Sequence, residues 1–264
     1  MDHSLHVDVC LTSISSRIAE VHKTISTILS QDYPSFNVYL YLSDEPFLLD
    51  KGVSKSLPES LQRLIRADKR FQVRFVPNWG PYRKAIPYLM EHQQQHRVFV
   101  TADDDTIYPS HWLSGLVEQY KIHRCIICYR GHAIQTSGKS FMPYRRWMTS
   151  GIRQNPDIYI VPTGKDGVLY DTTLLHPRII DVNTALKVAP TADDLWFKWH
   201  SAAVGTSTFI INSDYSTGTF DGTDFEESLY QRFNKGGKND DTLVSLSKYS
   251  RDSLKFDMLT LSSV

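Results

Sequence analysis

Three consecutive carboxylates, Asp103, Asp104 and Asp105, close an apolar run that begins Arg97-Val-Phe-Val-Thr-Ala. Like charges set side by side repel, so a chain that keeps them together implies a cation in the gap. A divalent metal is the expected occupant. Oxygen-rich ligation without a His/Cys cluster favours Mg²⁺ or Mn²⁺ over zinc. A plainer role is to solvate a turn ahead of a helix that starts at Pro109-Ser110. Three carboxylates exceed what a turn needs, so the metal is the favoured reading.

A second acidic pair, Asp193-Asp194, opens a segment with helical spacing. A carboxylate there suits a general base that takes a proton from a hydroxyl. The alternative is interaction with the helix dipole, worth about 0.3–1 kcal/mol; both hold if Asp193 caps and Asp194 reacts. Gly80-Pro-Tyr-Arg-Lys84 opens another expected helix, and helix amino ends and cations both attract phosphate. Lys84 is therefore placed near an anionic ligand, with a solvated face as the alternative and Arg83 as the weaker neighbour. In Gly164-Lys-Asp-Gly167 the glycines permit close backbone approach to a ligand, or simply a hairpin turn. His176 and His200 are candidate third metal ligands or phosphate contacts, against the commoner structural role of a lone histidine. Arg145-Arg146 suits an anionic acceptor or a lipid diphosphate, or is a solvated pair. Asn239-Asp-Asp241 reads as the amino cap of the last helix.

These residues are spaced along an alternation of strand and helix patterns. Strands are expected at 7–12, 37–42, 71–76, 98–101 and 125–129, from apolar or alternating runs. Helices are expected at 17–30, from Pro58, from Pro81, at 111–120, from near Thr191 within 186–200, and at 241–249. Such alternation predicts an α/β fold: a Rossmann-like, mostly parallel sheet covered by helices on both faces. Ligands in such sheets bind beyond the carboxyl ends of the strands. Thr12-Ser13, Asp44, the Gly80 turn and Asp103 to Asp105 all fall at strand ends and would share one rim. Residues 131–170 read as loops and short strands over that rim, and 212–241 as a polar, irregular connection.

The 264 residues carry 29 Lys plus Arg and 29 Asp plus Glu. Zero net charge argues against nucleic acid as the main partner, since phosphate backbones call for a basic surplus. No apolar run approaches bilayer-spanning length, and the amino terminus lacks a basic, apolar leader. A cytoplasmic location is expected, with at most peripheral membrane contact. Cys10, Cys125 and Cys128 are too few for a disulfide framework. The Cys125-Ile-Ile-Cys128 spacing lies in a strand-like run and is read as core.

The ordered set resembles the nucleotide-sugar domain of GT-A glycosyltransferases: Thr12-Ser13 after a strand, Asp44 after the next, then Val-Thr-Ala-Asp-Asp-Asp. Trp79-Gly-Pro-Tyr-Arg-Lys-Ala-Ile-Pro87, Val161-Pro-Thr-Gly-Lys-Asp-Gly-Val-Leu-Tyr170 and Thr191-Ala-Asp-Asp-Leu-Trp196 point towards bacterial cell-surface polysaccharide transferases. Asp-Asp-Asp-Thr-Ile-Tyr-Pro is also similar to capsular N-acetylglucosaminyltransferases of the heparosan type. The resemblance implies one GT-A domain over 1–264, with a nucleotide-sugar half at 1–130 and an acceptor half at 131–264. It implies transfer of a sugar from a nucleotide donor, a UDP-sugar by preference, to a glycan or glycolipid acceptor. Asp105 would be the direct metal ligand and Asp103 would orient ribose or a metal-bound water. Asp104 joins the donor-binding set, although neighbours on an extended segment point to opposite sides. Thr12, Ser13, Asp44 and Lys84 would contact the nucleotide, Gly167 would lie beside donor and acceptor, and Asp194 with Asp193 would supply the base. Asp44 is equally a strand-ending turn residue. Two other classes stay open: a nucleotidyltransferase, against which Thr12-Ser-Ile-Ser-Ser-Arg17 has no glycine for a triphosphate loop, and a non-catalytic nucleotide- or carbohydrate-binding subunit.

Overall fold

The computed structural model describes residues 4–212, 230–234 and 236–261. The extreme amino terminus and most of the 212–241 connection lie outside the described residues. The first half alternates as the apolar spacing requires: β1 (Val7–Thr12), α1 (Val21–Leu29), β2 (Phe36–Leu42), α2 (Glu59–Ala67) and β3 (Phe71–Phe75). α3 (Ile86–His92), β4 (Val98–Ala102), α4 (Trp112–His123) and β5 (Ile126–Cys128) follow. The second half supplies β6 (Gly131–Ala133), β7 (Thr136–Ser137), β8 (Ser140–Phe141), α5 (Tyr144–Trp147), β9 (Ile160–Pro162) and β10 (Val168–Asp171). It ends with α6 (Val182–Val188), α7 (Asp193–Ala202), β11 (Thr208–Ile210) and α8 (Lys238–Tyr249).

The central sheet has seven strands in the order β11-β5-β10-β4-β1-β2-β3. β1 pairs parallel with β2 and β4, β2 with β3, and β5 with β11. β10 runs antiparallel between β4 and β5. Side chains alternate across the pleat. Val7, Val9 and Leu11 of β1 face a core with Ile25 and Ile28 of α1, Leu61 of α2 and Leu113 and Leu116 of α4. Cys10 of β1, Phe99 of β4 and Tyr170 of β10 face a second core with Ile86 and Leu89 of α3, Trp196 and Trp199 of α7 and Leu246 of α8. Helices thus cover both faces, as the alternation predicts. Cys10, Cys125 and Cys128 are buried free thiols within these cores.

Several expectations are corrected. β10 is a fully buried interior strand of the central sheet rather than a short strand over the rim. Its four residues are too short for a periodic signal, and its place depends on two long-range pairings. The helix expected at 17–30 begins at Val21, and Arg17 turns instead towards Asp104 and Asp105. The helix expected from Pro81 is a tight 3₁₀ stretch, Gly80–Lys84, followed by α3. Gly80 enters it at a left-handed φ of 56°, and Pro81 has no N–H to give. The helix expected from near Thr191 is present as α7, with Asp193 and Asp194 in its first turn, while the added α6 ends ahead of Pro190, which cannot continue a helix. α8 starts earlier than expected, at Lys238 behind Gly237, with no side-chain cap. Asn239, Asp240 and Asp241 therefore sit inside its first turn rather than capping it.

Candidate active site

Strand direction decides which loops meet. β1 to β5 all point the same way, so the residues after β1, β2, β3 and β4 gather at their carboxyl ends. β10 is reversed, and so it is the loop before it, residues 163–167, that reaches the same rim. The amino end of α7 arrives there too. A cavity of about 570 Å³ opens at this rim, a size common for small-ligand sites. Thr12, Ser13, Lys84, Asp103, Asp104, Asp105, Asp193 and Asp194 all line it.

Lys84 joins the two acidic sites. Its Nζ lies 3.0 Å from Asp193 Oδ2 and 4.0 Å from Asp103 Oδ1. Burial alone would depress this ammonium, but Asp193, Asp194 and Asp103 outweigh it and raise its pKa. Asp193 thus serves the ion pair, and α7 carries no side-chain cap. Asp194 accepts a hydrogen bond from the Gly164 backbone N–H at 3.0 Å. Burial, then repulsion from Asp193, pushes its carboxyl well above the usual carboxylate range, with Lys84 partly offsetting the shift. A Cβ on Gly164 would stand 2.6 Å from Lys84 Nζ and 3.3 Å from Asp194 Oδ1. Glycine lets the backbone roof this cluster without displacing the Lys84 ammonium.

The three aspartates divide their work. Asp104 accepts from Ser13 Oγ at 2.6 Å and from an Arg17 guanidinium nitrogen at 2.8 Å, tying the loop after β1 to the end of β4. Asp105 approaches the same Arg17 nitrogen at 3.3 Å. Burial, then Asp103 and Asp104, raises the Asp105 carboxyl to about 7. Burial also raises Asp103, against the pull of Lys84. Thr12 is engaged locally, its hydroxyl donating to the Tyr41 carbonyl.

Asp44 and Gly167 stand outside the cavity lining. Asp44 is half-exposed and pairs with Lys55 at 3.0 Å. Gly167 holds a φ of 99°, and a Cβ there would meet the Trp112 ring at 2.7 Å. It shapes the turn beneath the site rather than a surface for ligand. His176 and His200 do not line the cavity either. His200 is wholly buried, with Nδ1 at the Trp196 carbonyl and Nε2 at the Tyr249 hydroxyl, and burial holds it down at about 3. Arg145 and Arg146 are exposed on α5 while their neighbours Tyr144 and Met148 line the cavity.

The site depends on a carboxylate that the strand-end pattern does not single out. Asp50 accepts from the backbone N–H groups of Ser15 and Gly52 and from the Asn78 amide. Its Oδ2 lies 2.8 Å from the Arg83 guanidinium, with both side chains almost wholly buried. That approach is not aligned as a hydrogen bond, so charge attraction carries it. Arg83 also donates to the Ser13 carbonyl. One buried pair thereby fixes three rim loops. The only signals for it in sequence are an acidic residue far past the strand end and an arginine beside Lys84.

No family model and no curated protein matches the chain. Solved structures do. S. aureus TarS, residues 1–349, aligns at 16% identity and a TM-score of 0.51, over 82% of this chain and 59% of that one. The Pyrobaculum calidifontis mannosyltransferase PcManGT, solved with GDP-Man and Mn²⁺, aligns at 12% identity and a TM-score of 0.50, over 79% and 55%. The 4-diphosphocytidyl-2C-methyl-D-erythritol synthase of Anaerococcus prevotii aligns at 10% identity and a TM-score of 0.51, over 88% and 97%. The chain spans little more than half the length of the first two. The shared architecture is the GT-A α/β fold. No helix among the described residues is long and apolar enough to cross a membrane.

Proposed function

We propose that this chain is a metal-dependent glycosyltransferase that moves a sugar from a nucleotide donor, a UDP-sugar by preference, to a glycan or glycolipid acceptor in bacterial surface polysaccharide synthesis. The observation that carries it is one cavity holding both acidic sites, bridged by Lys84 and roofed by Gly164. Residues 1–130 would bind the donor and 131–264 the acceptor.

The donor set fits a hard divalent cation. Asp105 and Asp103 are crowded carboxylates whose pKa values are both raised, first by burial and then by neighbouring carboxylates, Asp103 and Asp104 for Asp105 and Asp104 and Asp193 for Asp103, the condition a cation relieves. Among the described residues no three His, Cys, Asp or Glu side chains form a ready metal cage. Mg²⁺ and Mn²⁺ commonly take one or two carboxylates and complete their shell with water and substrate phosphate. A Mn²⁺ or Mg²⁺ ion held by Asp105 and Asp103 would neutralise the charge that builds on the departing diphosphate. Lys84 adds a fixed positive charge beside that position. Asp194, held by the Gly164 N–H, takes the proton of the acceptor hydroxyl as it attacks the sugar. Asp193 keeps Lys84 in place, and Asp104 with Ser13 and Arg17 fixes the backbone that presents Asp103 and Asp105.

The test is direct. Purified protein is offered UDP- and GDP-sugars with Mn²⁺, and donor consumption is followed with and without chelator. Asp105→Asn should lose the metal-dependent rate, and full activity in that variant would remove the metal assignment. Gly164→Ala supplies a finer check. Its methyl group would push Lys84 away from Asp193 and Asp103, and a displacement near 1 Å in a catalytic group costs up to about 10²-fold in rate. Thermal melting should change little, because the displaced atom ends a flexible chain; unaltered kcat would show that Lys84 needs no such placement.

A nucleotidyltransferase is the second reading, favoured by the likeness that covers 97% of the A. prevotii synthase. The segment after β1 argues against it: Thr12 to Arg17 contains no glycine, and Arg17 is engaged with Asp104 and Asp105. Release of pyrophosphate from a nucleoside triphosphate would establish that reading. Donor binding without turnover would leave a binding subunit.

A further inference from the structure

Asn239 is one feature of the cavity that the proposed chemistry leaves unused. It sits in the first turn of α8, is 6% exposed, and lines the cavity. Its Oδ1 is buried with no hydrogen-bond partner among the described residues. A buried carbonyl left unpaired is costly, and such groups in folded proteins are normally satisfied.

The surroundings say what could satisfy it. The Tyr144 backbone N–H donates to Asp240 at 2.7 Å, fastening α5 to the start of α8. That link places Tyr144 and Met148 on the same wall as Asn239. Thr191 and Asn234 pair through two hydrogen bonds, at 2.6 and 2.9 Å, and bring another amide to the cavity just before Asp193. The wall therefore combines the Tyr144 ring, packed edge-on against His132 at 5.9 Å, with one thioether and two amides. No acidic or basic side chain of α5 or of the first turn of α8 lines the cavity beside them. Aromatic faces take the C–H surface of a sugar ring, and amides take its hydroxyls. A neutral ligand fits this wall better than a charged one.

We propose that Asn239, Tyr144 and Met148 form the subsite for a neutral pyranose of the acceptor, with the Asn239 side-chain amide hydrogen-bonding to the sugar. The proposal rests on the glycosyltransferase reading for the word acceptor, but the sugar subsite itself can be tested apart from it. Wild type and Asn239→Leu are titrated with a panel of methyl glycosides (glucoside, galactoside, N-acetylglucosaminide, N-acetylgalactosaminide) by ligand-observed NMR. Wild type is separately titrated with UDP- and GDP-sugars. The expected result is binding of at least one methyl glycoside, weakened about tenfold in Asn239→Leu, as losing one hydrogen bond implies. The same variant should melt at or above the wild-type temperature, because an apolar isostere removes an unpaired buried group. A lowered melting temperature, or failure to fold, makes Asn239 a structural residue and overturns the proposal. So does wild type that binds none of the panel, or a variant that binds it equally well. Glycoside binding lost in Asn239→Leu, with no nucleotide-sugar bound by wild type, keeps the subsite and removes the glycosyltransferase reading.

Discussion

Asp194→Asn should lower the transfer rate by about 10²–10⁴-fold, the usual contribution of a positioned general base, while nucleotide-sugar affinity survives. The amide keeps the size of the side chain and its contact with the Gly164 N–H but can take no proton. The pH profile gives an independent reading of the same group. The Asp194 carboxyl is raised by burial and by Asp193, and it works only when charged. Wild-type kcat should therefore fall as pH drops through that raised pKa, above the ordinary carboxylate range near 4. In the variant that acid limb should vanish along with most of the rate. A kcat within threefold of wild type, or an unchanged acid limb, would remove Asp194 from the chemistry. Stability follows the opposite sign. A carboxyl whose pKa is higher folded than unfolded stabilises most when protonated, and that contribution is lost as pH rises through the folded value. For Asp105 the window runs from about 4 to about 7, so metal-free protein should lose urea resistance across it. Added Mn²⁺ should restore that resistance.

Asp50→Ala carries the largest expected cost to the fold, about 3–5 kcal/mol, because it leaves the Arg83 guanidinium buried without its charge partner. It also removes the acceptor for Ser15, Gly52 and Asn78. Urea unfolding measures the loss. The double variant Asp50→Leu with Arg83→Met should recover most of it, since an apolar pair of similar volume needs no desolvation. A single-variant loss under about 1 kcal/mol, the range of exposed pairs, would mean that water reaches Arg83 and that the pair does not organise the rim.

Much of the fold is legible in local pattern. The strands at 7–12, 37–42 and 98–101 are mostly apolar runs, interrupted in the first by the buried Asp8, because both faces of the sheet are covered. α1, α2 and α4 show one-sided helical spacing because each buries one face. The Asp103 to Asp105 triplet and the Asp193-Asp194 pair are legible as acidic clusters, although turn solvation and the helix dipole offer a local reason for each. Other parts had no local signal. β10 is four residues long, and nothing in Val-Leu-Tyr-Asp says that it inserts antiparallel between β4 and β5. Asp44 and Asp50 are both acidic residues after β2. Choosing between them requires knowing where the loop folds back, and only Asp50 reaches Arg83. Asn239 reads as a cap because Asn is a good one, yet the helix begins before it.

The sequence alone determined most element types of the first half, the shared rim and the two acidic clusters, since all of these follow from residue type and short-range period. Tertiary structure decided that the clusters share Lys84, that Gly164 closes over them, that Asp104 braces the loop while Asp103 and Asp105 stay crowded, and that Asp50 holds the rim. Each of these depends on contacts between residues far apart in the chain, and on the burial those contacts create. A local pattern records neither.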